Sequence, residues 1–108
     1  MPARPRLSYQ GLKVLRVFLV SFSEDVRAEL AGTDVMKAAA ISSGTLYPIL
    51  LRLERVGVLE SRWEDVPAAE LGRPRRRFYR LTASGAQFAH EALEQLASPM
   101  ASPRPSEA

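Results

Sequence analysis

Five arginines stand within Gly72-Arg73-Pro74-Arg75-Arg76-Arg77-Phe78-Tyr79-Arg80, and no acid lies among them. Crowding guanidinium groups this closely is costly unless a polyanion neutralises them, and the phosphate backbone of a nucleic acid is such a polyanion. The nearest acids, Glu64, Asp65 and Glu70, are fewer than the arginines and already lie close to Arg62, so internal pairing of Arg73, Arg75, Arg76, Arg77 and Arg80 is expected to be incomplete. About thirty residues earlier, Ser42, Ser43, Thr45, Tyr47 and Pro48 gather at the start of an apolar-striped segment. At the head of a helix lying in the major groove these side chains would meet base edges and phosphates. Their bland alternative is capping by the hydroxyls and packing by the ring. Arg52 and Arg55 are either solvated partners of Glu54 and Glu60 or clamps on the nucleic-acid backbone, and Lys37 could reach a flanking phosphate.

Other chemistry is poorly supplied. The chain has no Cys, which removes disulfides, thiolate catalysis and every Cys-based zinc site, and makes a reducing cytoplasm the natural setting. Its single His, His90, has no second His to share a metal with. Glu91 and Glu94 read as solvated acids on a helix face, no phosphate-binding Gly loop is present, and no catalytic constellation emerges. Neither a metal nor a cofactor is expected. Trp63 could stack on a planar ligand, but in a strand it more commonly packs in a core or hairpin.

The 108 residues allow one domain with a modest core, and 46% hydrophobic with 25% charged residues is ordinary for a folded chain. The net charge of +3 hides a strong bias, thirteen Arg against two Lys, and Arg is the side chain that forks onto phosphates and guanine edges. No apolar run approaches the roughly 20 residues that span a bilayer, and Met1 to Arg6 do not lead into signal-peptide order.

These side chains need a scaffold. Pro and Ser mark residues 1–6 and 98–108 as loose tails around a working domain from Leu7 to Ala97. Ser8 can cap a first helix with Leu12, Leu15, Phe18 and Leu19 on one face, widened by Val14, Val17 and Val20. A second helix is expected from Asp34 to Ala40, capped by the Gly32-Thr33-Asp34 turn, and a third from Ser42-Ser43-Gly44 to Val56. The third carries Leu46, Ile49, Leu50 and Leu53 inward, and Gly57 closes it. Pro48 is comfortable there only within the first turn. Leu59, Ser61 and Trp63 share one parity and Glu60, Arg62 and Glu64 the other, so a half-buried strand is expected, returning from about Arg77 after a polar loop over 65–76. A last helix over residues 82–97 bears Phe88, Ala89, Ala92, Leu93 and Leu96, a face with little to cover in a monomer. The fold class is thus mainly α with a small β-hairpin: a winged helix-turn-helix over 7–81 and a C-terminal dimerisation helix.

Ser43-Gly44-Thr45-Leu46-Tyr47-Pro48, continuing through Arg52-Leu53-Glu54-Arg55-Val56-Gly57-Val58-Leu59, together with Gly72-Arg73-Pro74-Arg75-Arg76-Arg77-Phe78-Tyr79-Arg80-Leu81-Thr82, resembles the PadR family of bacterial transcriptional regulators. The resemblance runs over Leu7 to Ala97 and is closest to the small members with one short C-terminal helix. It implies a winged helix-turn-helix homodimer that represses promoters and releases DNA when a small molecule binds. First and last helices would build the dimer, here Leu12, Leu15, Phe18, Leu19, Phe88, Ala92, Leu93 and Leu96. Some small members bind aromatic drugs between aromatic side chains at that interface, and this chain departs from the pattern, its only Trp lying in the first wing strand. The DNA-binding set is Lys37, Ser42, Ser43, Thr45, Tyr47, Pro48, Arg52, Arg73, Arg75, Arg76 and Arg77, acting on a palindromic operator in double-stranded DNA. Two rival readings share the scaffold: a winged-helix module that binds an acidic protein instead of DNA, and a non-specific DNA-binding protein.

Overall fold

The structure, a computed structural model, describes residues 7–97, so the expected tails over 1–6 and 98–108 lie outside the described residues. In chain order the elements are α1 (Tyr9–Glu24), β1 (Leu30–Ala31), α2 (Gly32–Ala39), α3 (Ser43–Arg55), β2 (Leu59–Trp63), α4 (Ala68–Leu71), β3 (Arg77–Leu81) and α5 (Ala83–Ala97). This is a winged helix-turn-helix, mostly helical around a small antiparallel sheet. The wing gains a strand that alternation did not reveal. Leu30–Ala31 pairs with β3 on the side opposite β2, giving the order β1-β3-β2. Two residues are too short to show a period, so only the pairing identifies them.

Local chemistry explains the helix ends. Ser8 Oγ accepts from the Gly11 amide at 3.2 Å and caps α1. α2 starts two residues before the expected Asp34, because Asp34 acts from inside the first turn. Its carboxylate accepts from the Ala31 amide at 2.9 Å, which is the backward half of a capping box. α3 ends in a Schellman motif: Val58 N–H donates to Leu53 O at 2.9 Å and Gly57 N–H to Glu54 O at 3.1 Å. Gly57 takes φ +81°, which favours glycine. Thr82 caps α5 through Gly85 N–H at 2.9 Å. Gly85 itself lies against the Val58 carbonyl, where a Cβ would clash with backbone.

Two expectations about loops and helix interiors need correction. Pro48 is the sixth residue of α3, in the second turn rather than the first, so the Gly44 carbonyl lacks the usual fourth-residue donor there. The polar loop over 65–76 contains a helical turn, α4, closed by Gly72 at φ +68°.

One core joins all layers. Val14, Leu15 and Phe18 of α1 meet Val35, then Leu46, Ile49, Leu50 and Leu53 of α3, with Leu59, Tyr79, Leu81 and Ala89 from the sheet and α5. Leu15 is fully buried and Phe18 is 2% exposed, so these two members of the expected dimer set belong to the protomer's own core and have no surface left for a partner. The face of α5 is likewise not idle. Ala89 is buried and Phe88 and Ala92 pack against the core, because α5 lies along α1.

Candidate nucleic-acid interface

α3 turns Leu46, Ile49, Leu50 and Leu53 into the core and leaves Ser43, Gly44, Thr45, Tyr47, Pro48 and Arg52 exposed. The apolar stripe therefore aims the polar head of this helix outward. Ser42 is its N-cap residue, but its hydroxyl bonds the Thr45 hydroxyl at 3.3 Å instead of a backbone amide, so side-chain capping by Ser42 does not occur. Tyr47 is 44% exposed and its ring lies against Gly32, where a Cβ would collide with the phenol. Gly44 is different: a Cβ there would touch nothing, and its φ is not in the left-handed region.

Pairing of the wing arginines is incomplete, as expected, although three of the five find acids, two of them Glu54 and Glu60 from beyond the nearest set. Arg73 forks onto Glu64 at 2.9 and 3.1 Å. Arg80 Nε donates to Glu60 at 2.6 Å, and Arg77 Nη2 reaches Glu54 of α3 at 3.4 Å. Arg62 turns to Glu29, ahead of β1, at 2.7 Å. The Arg73 guanidinium bonded to Glu64 holds that carboxyl below the usual glutamate range, with a further contribution from the Arg76 amide. The bonds from Arg62 do the same for Glu29. Since Glu54 and Glu60 are taken by Arg77 and Arg80, Arg52 and Arg55 are not their partners. Among the described residues, Arg75 and Arg76 are the two wing arginines whose side chains carry no ion pair, and both are exposed. Lys37, in the last turn of α2, is exposed as well.

Of the expected set, Tyr47, Arg75, Arg76 and Arg77 converge on one groove, while Lys37, Ser42, Ser43, Thr45, Pro48, Arg52 and Arg73 do not line it. An open groove of about 400 Å³ is lined by Tyr47 of α3, Thr33 of α2, and Trp63, Arg75, Arg76 and Arg77 of the wing. Trp63 is 53% exposed, so it is not a core residue. It lies opposite Arg77 in the β2–β3 register, with the guanidinium 5.1 Å from its ring centre. Tyr79, by contrast, is buried in β3, and burial pushes its phenol pKa up. The site that forms is a cationic rim on an aromatic floor beside the exposed head of a helix. It can hold a polyanion and present hydroxyl and phenol groups to bases. Sequence reasoning missed Thr33 and the pairing role of Glu54, since neither follows from spacing along one element.

A second groove, of about 470 Å³, runs between α1 and α5 and is lined by Arg16, Leu19, Val20, Ser23, Leu93 and Leu96. His90 is exposed and sits 3.7 Å from Glu94, and the described residues contain no cluster of three potential metal ligands. No helix of the described residues is long and apolar enough to cross a membrane.

No curated protein matches the chain. Among solved structures, smu.1704 from Streptococcus mutans is similar with a TM-score of 0.62 and 26% identity, over 88% of this chain and 84% of that one. A PadR family transcriptional regulator from Eggerthella lenta is similar with a TM-score of 0.57 and 28% identity, over 79% and 77% of the two chains. NadR in complex with 4-hydroxyphenylacetate has a TM-score of 0.63 and 26% identity, over 83% of this chain and 55% of its own. The model of the transcriptional regulator PadR-like family matches residues 26–91, which run from the segment before β1 through α3 and the wing into α5. With that match over most of its length, the chain belongs to the PadR-like family of transcriptional regulators.

Proposed function

We propose that the protein is a homodimeric, sequence-specific repressor of transcription whose α3 helices enter successive major grooves of a palindromic operator. The observation that carries this reading is the single groove that unites Tyr47 of α3 with the unpaired Arg75 and Arg76 of the wing. Ser43, Thr45 and Tyr47 read base edges, with Ser42 and Pro48 at the same end of the helix, while Arg75, Arg76, Lys37 and Arg52 neutralise phosphates. Gly44, whose lack of a side chain serves no contact within the protein, lets the DNA backbone approach α3 closely. The apolar groove between α1 and α5 supports the dimer, with Leu19, Val20, Leu93 and Leu96 facing a second copy, Phe88 and Ala92 packed on the core behind α5, and Leu12 completing the proposed set. NadR holds a small aromatic acid, and a small-molecule effector that changes the spacing of the two reading helices would switch this protein off DNA. The setting is the cytoplasm.

The test is binding to a DNA fragment carrying the protein's own promoter, in competition with random DNA at physiological salt. A preference of about a thousandfold is expected of a specific regulator. Equal binding to both would reduce the protein to a non-specific binder, and no binding to either would favour an acidic protein as partner of the wing.

A further inference from the structure

The three ion-paired wing arginines are held in two different ways. Arg73 and Arg80 are tied to Glu64 and Glu60, within the wing itself. Arg77 is tied to Glu54, which belongs to α3, the helix that reads DNA. Around this pair a compact network forms. The Glu54 carboxylate accepts from Ser61 Oγ of β2 at 2.5 Å, and the same Ser61 Oγ accepts from Arg77 Nε of β3 at 3.0 Å. The guanidinium then rests on the Trp63 ring. One carboxylate near the end of α3 thereby holds both strands of the wing.

Resting on the repressor reading above, we propose that Glu54 and Arg77 are positioning residues for sequence specificity: they fix the angle between reading helix and wing, and they withhold one arginine from phosphate binding. The direct ion pair is only part of this. At 3.4 Å and about one third exposed on each side, it is screened by water, so the constraint comes from the shared Ser61 hydroxyl and the Trp63 stack as much as from charge. Base readout depends on where the helix sits in the groove. Phosphate contacts set that register. A wing that can swing relative to α3, or a freed Arg77 that seizes a phosphate of its own, would keep affinity for any DNA while blurring the choice among sequences.

The experiment compares wild type, Glu54→Gln and Arg77→Gln on the own-promoter fragment and on random DNA of equal length across a salt series. All three are assayed below their melting midpoints. Glu54→Gln frees a cation. Its binding to random DNA is expected to strengthen, the log–log salt slope to steepen by about 0.9, the value of one phosphate contact, and promoter preference to fall about fivefold or more, the scale of one mismatched base pair. Arg77→Gln is expected to lose promoter preference to a similar degree with an unchanged slope. Should Glu54→Gln fail to fold, Arg77→Gln alone decides. A slope shallower by about 0.9 with preference intact would make Arg77 an ordinary phosphate contact and overturn the proposal. Wild type without promoter preference would overturn the repressor reading first, and is told apart because it needs no variant.

Discussion

Under the proposed function, Gly44 and the pair Arg75 and Arg76 separate what the protein needs for itself from what it needs for DNA. A Cβ at position 44 meets nothing, and an alanine inside a helix is favoured over glycine by about 0.8–1 kcal/mol. Gly44→Ala should therefore raise the thermal midpoint slightly while weakening promoter binding, a combination that a purely structural glycine could not give. Calorimetry and a binding titration on one preparation would check it. Arg75 and Arg76 have no acid to satisfy, so replacing both with Ala should leave the fold intact. Binding to promoter and random DNA should weaken together, with a salt slope shallower by about 1.8 for two lost phosphate contacts. An unchanged slope would send the wing to another partner. Glu64 behaves oppositely because it is paired. Its pKa in the folded protein is lowered by Arg73, so the stabilisation it gives is present at neutral pH and is lost as pH falls through the usual glutamate range and below. The melting midpoint of wild type should thus fall faster than that of Glu64→Gln as the solution is acidified, and equal pH profiles would show that the Arg73 clamp does not stabilise the wing.

At the scale of elements, what could be read in advance was whatever repeats along one segment. The stripe Leu46, Ile49, Leu50 and Leu53 marked the inward face of α3, and the parity of Leu59, Ser61 and Trp63 marked β2; both elements stand, with Leu59 buried and paired to Leu81, but Trp63 at the strand end is 53% exposed. Contacts between segments were not visible in this way. β1 is two residues long and exists only through its pairing to β3, and α4 is a single turn within a polar stretch. Incomplete wing pairing was legible, but not all of the partners: Glu54 and Glu29 lie far from the arginines in sequence, and only folding brings them to Arg77 and Arg62. Gly85 is another such case. It lies in the first turn of α5, directly against the Val58 carbonyl, so a larger residue does not fit there unless α5 lifts from the sheet. Gly85→Ala should cost about 1–3 kcal/mol, as overpacking does, measured as a shift in the denaturant midpoint. A cost near zero would mean that the α5 start moves freely.

For the molecule as a whole, the question is which apolar surface faces inward and which would face a second copy in the proposed dimer. α1 is apolar on more than one side, and the structure divides those sides: Val14, Leu15 and Phe18 vanish into the core, while Val20 remains 51% exposed and Leu96 of α5 61% exposed across the groove. The division predicts two kinds of failure. Leu15→Ala empties a fully buried site and should destabilise the fold by about 2–5 kcal/mol, with little effect on association of the molecules that remain folded. Val20→Glu combined with Leu96→Glu places charges where water already reaches in a single copy, so that copy should fold normally. In the proposed dimer the same charges would be buried without partners, and the dimer should dissociate, as sedimentation would show. Each released protomer would keep its own groove of Tyr47, Arg75 and Arg76, but lose the gain from linking two half-site contacts. Promoter binding should therefore collapse far more than random-DNA binding. If the double variant sediments like the wild type and keeps its promoter preference, α1 and α5 do not form a dimer interface and that part of the proposal falls.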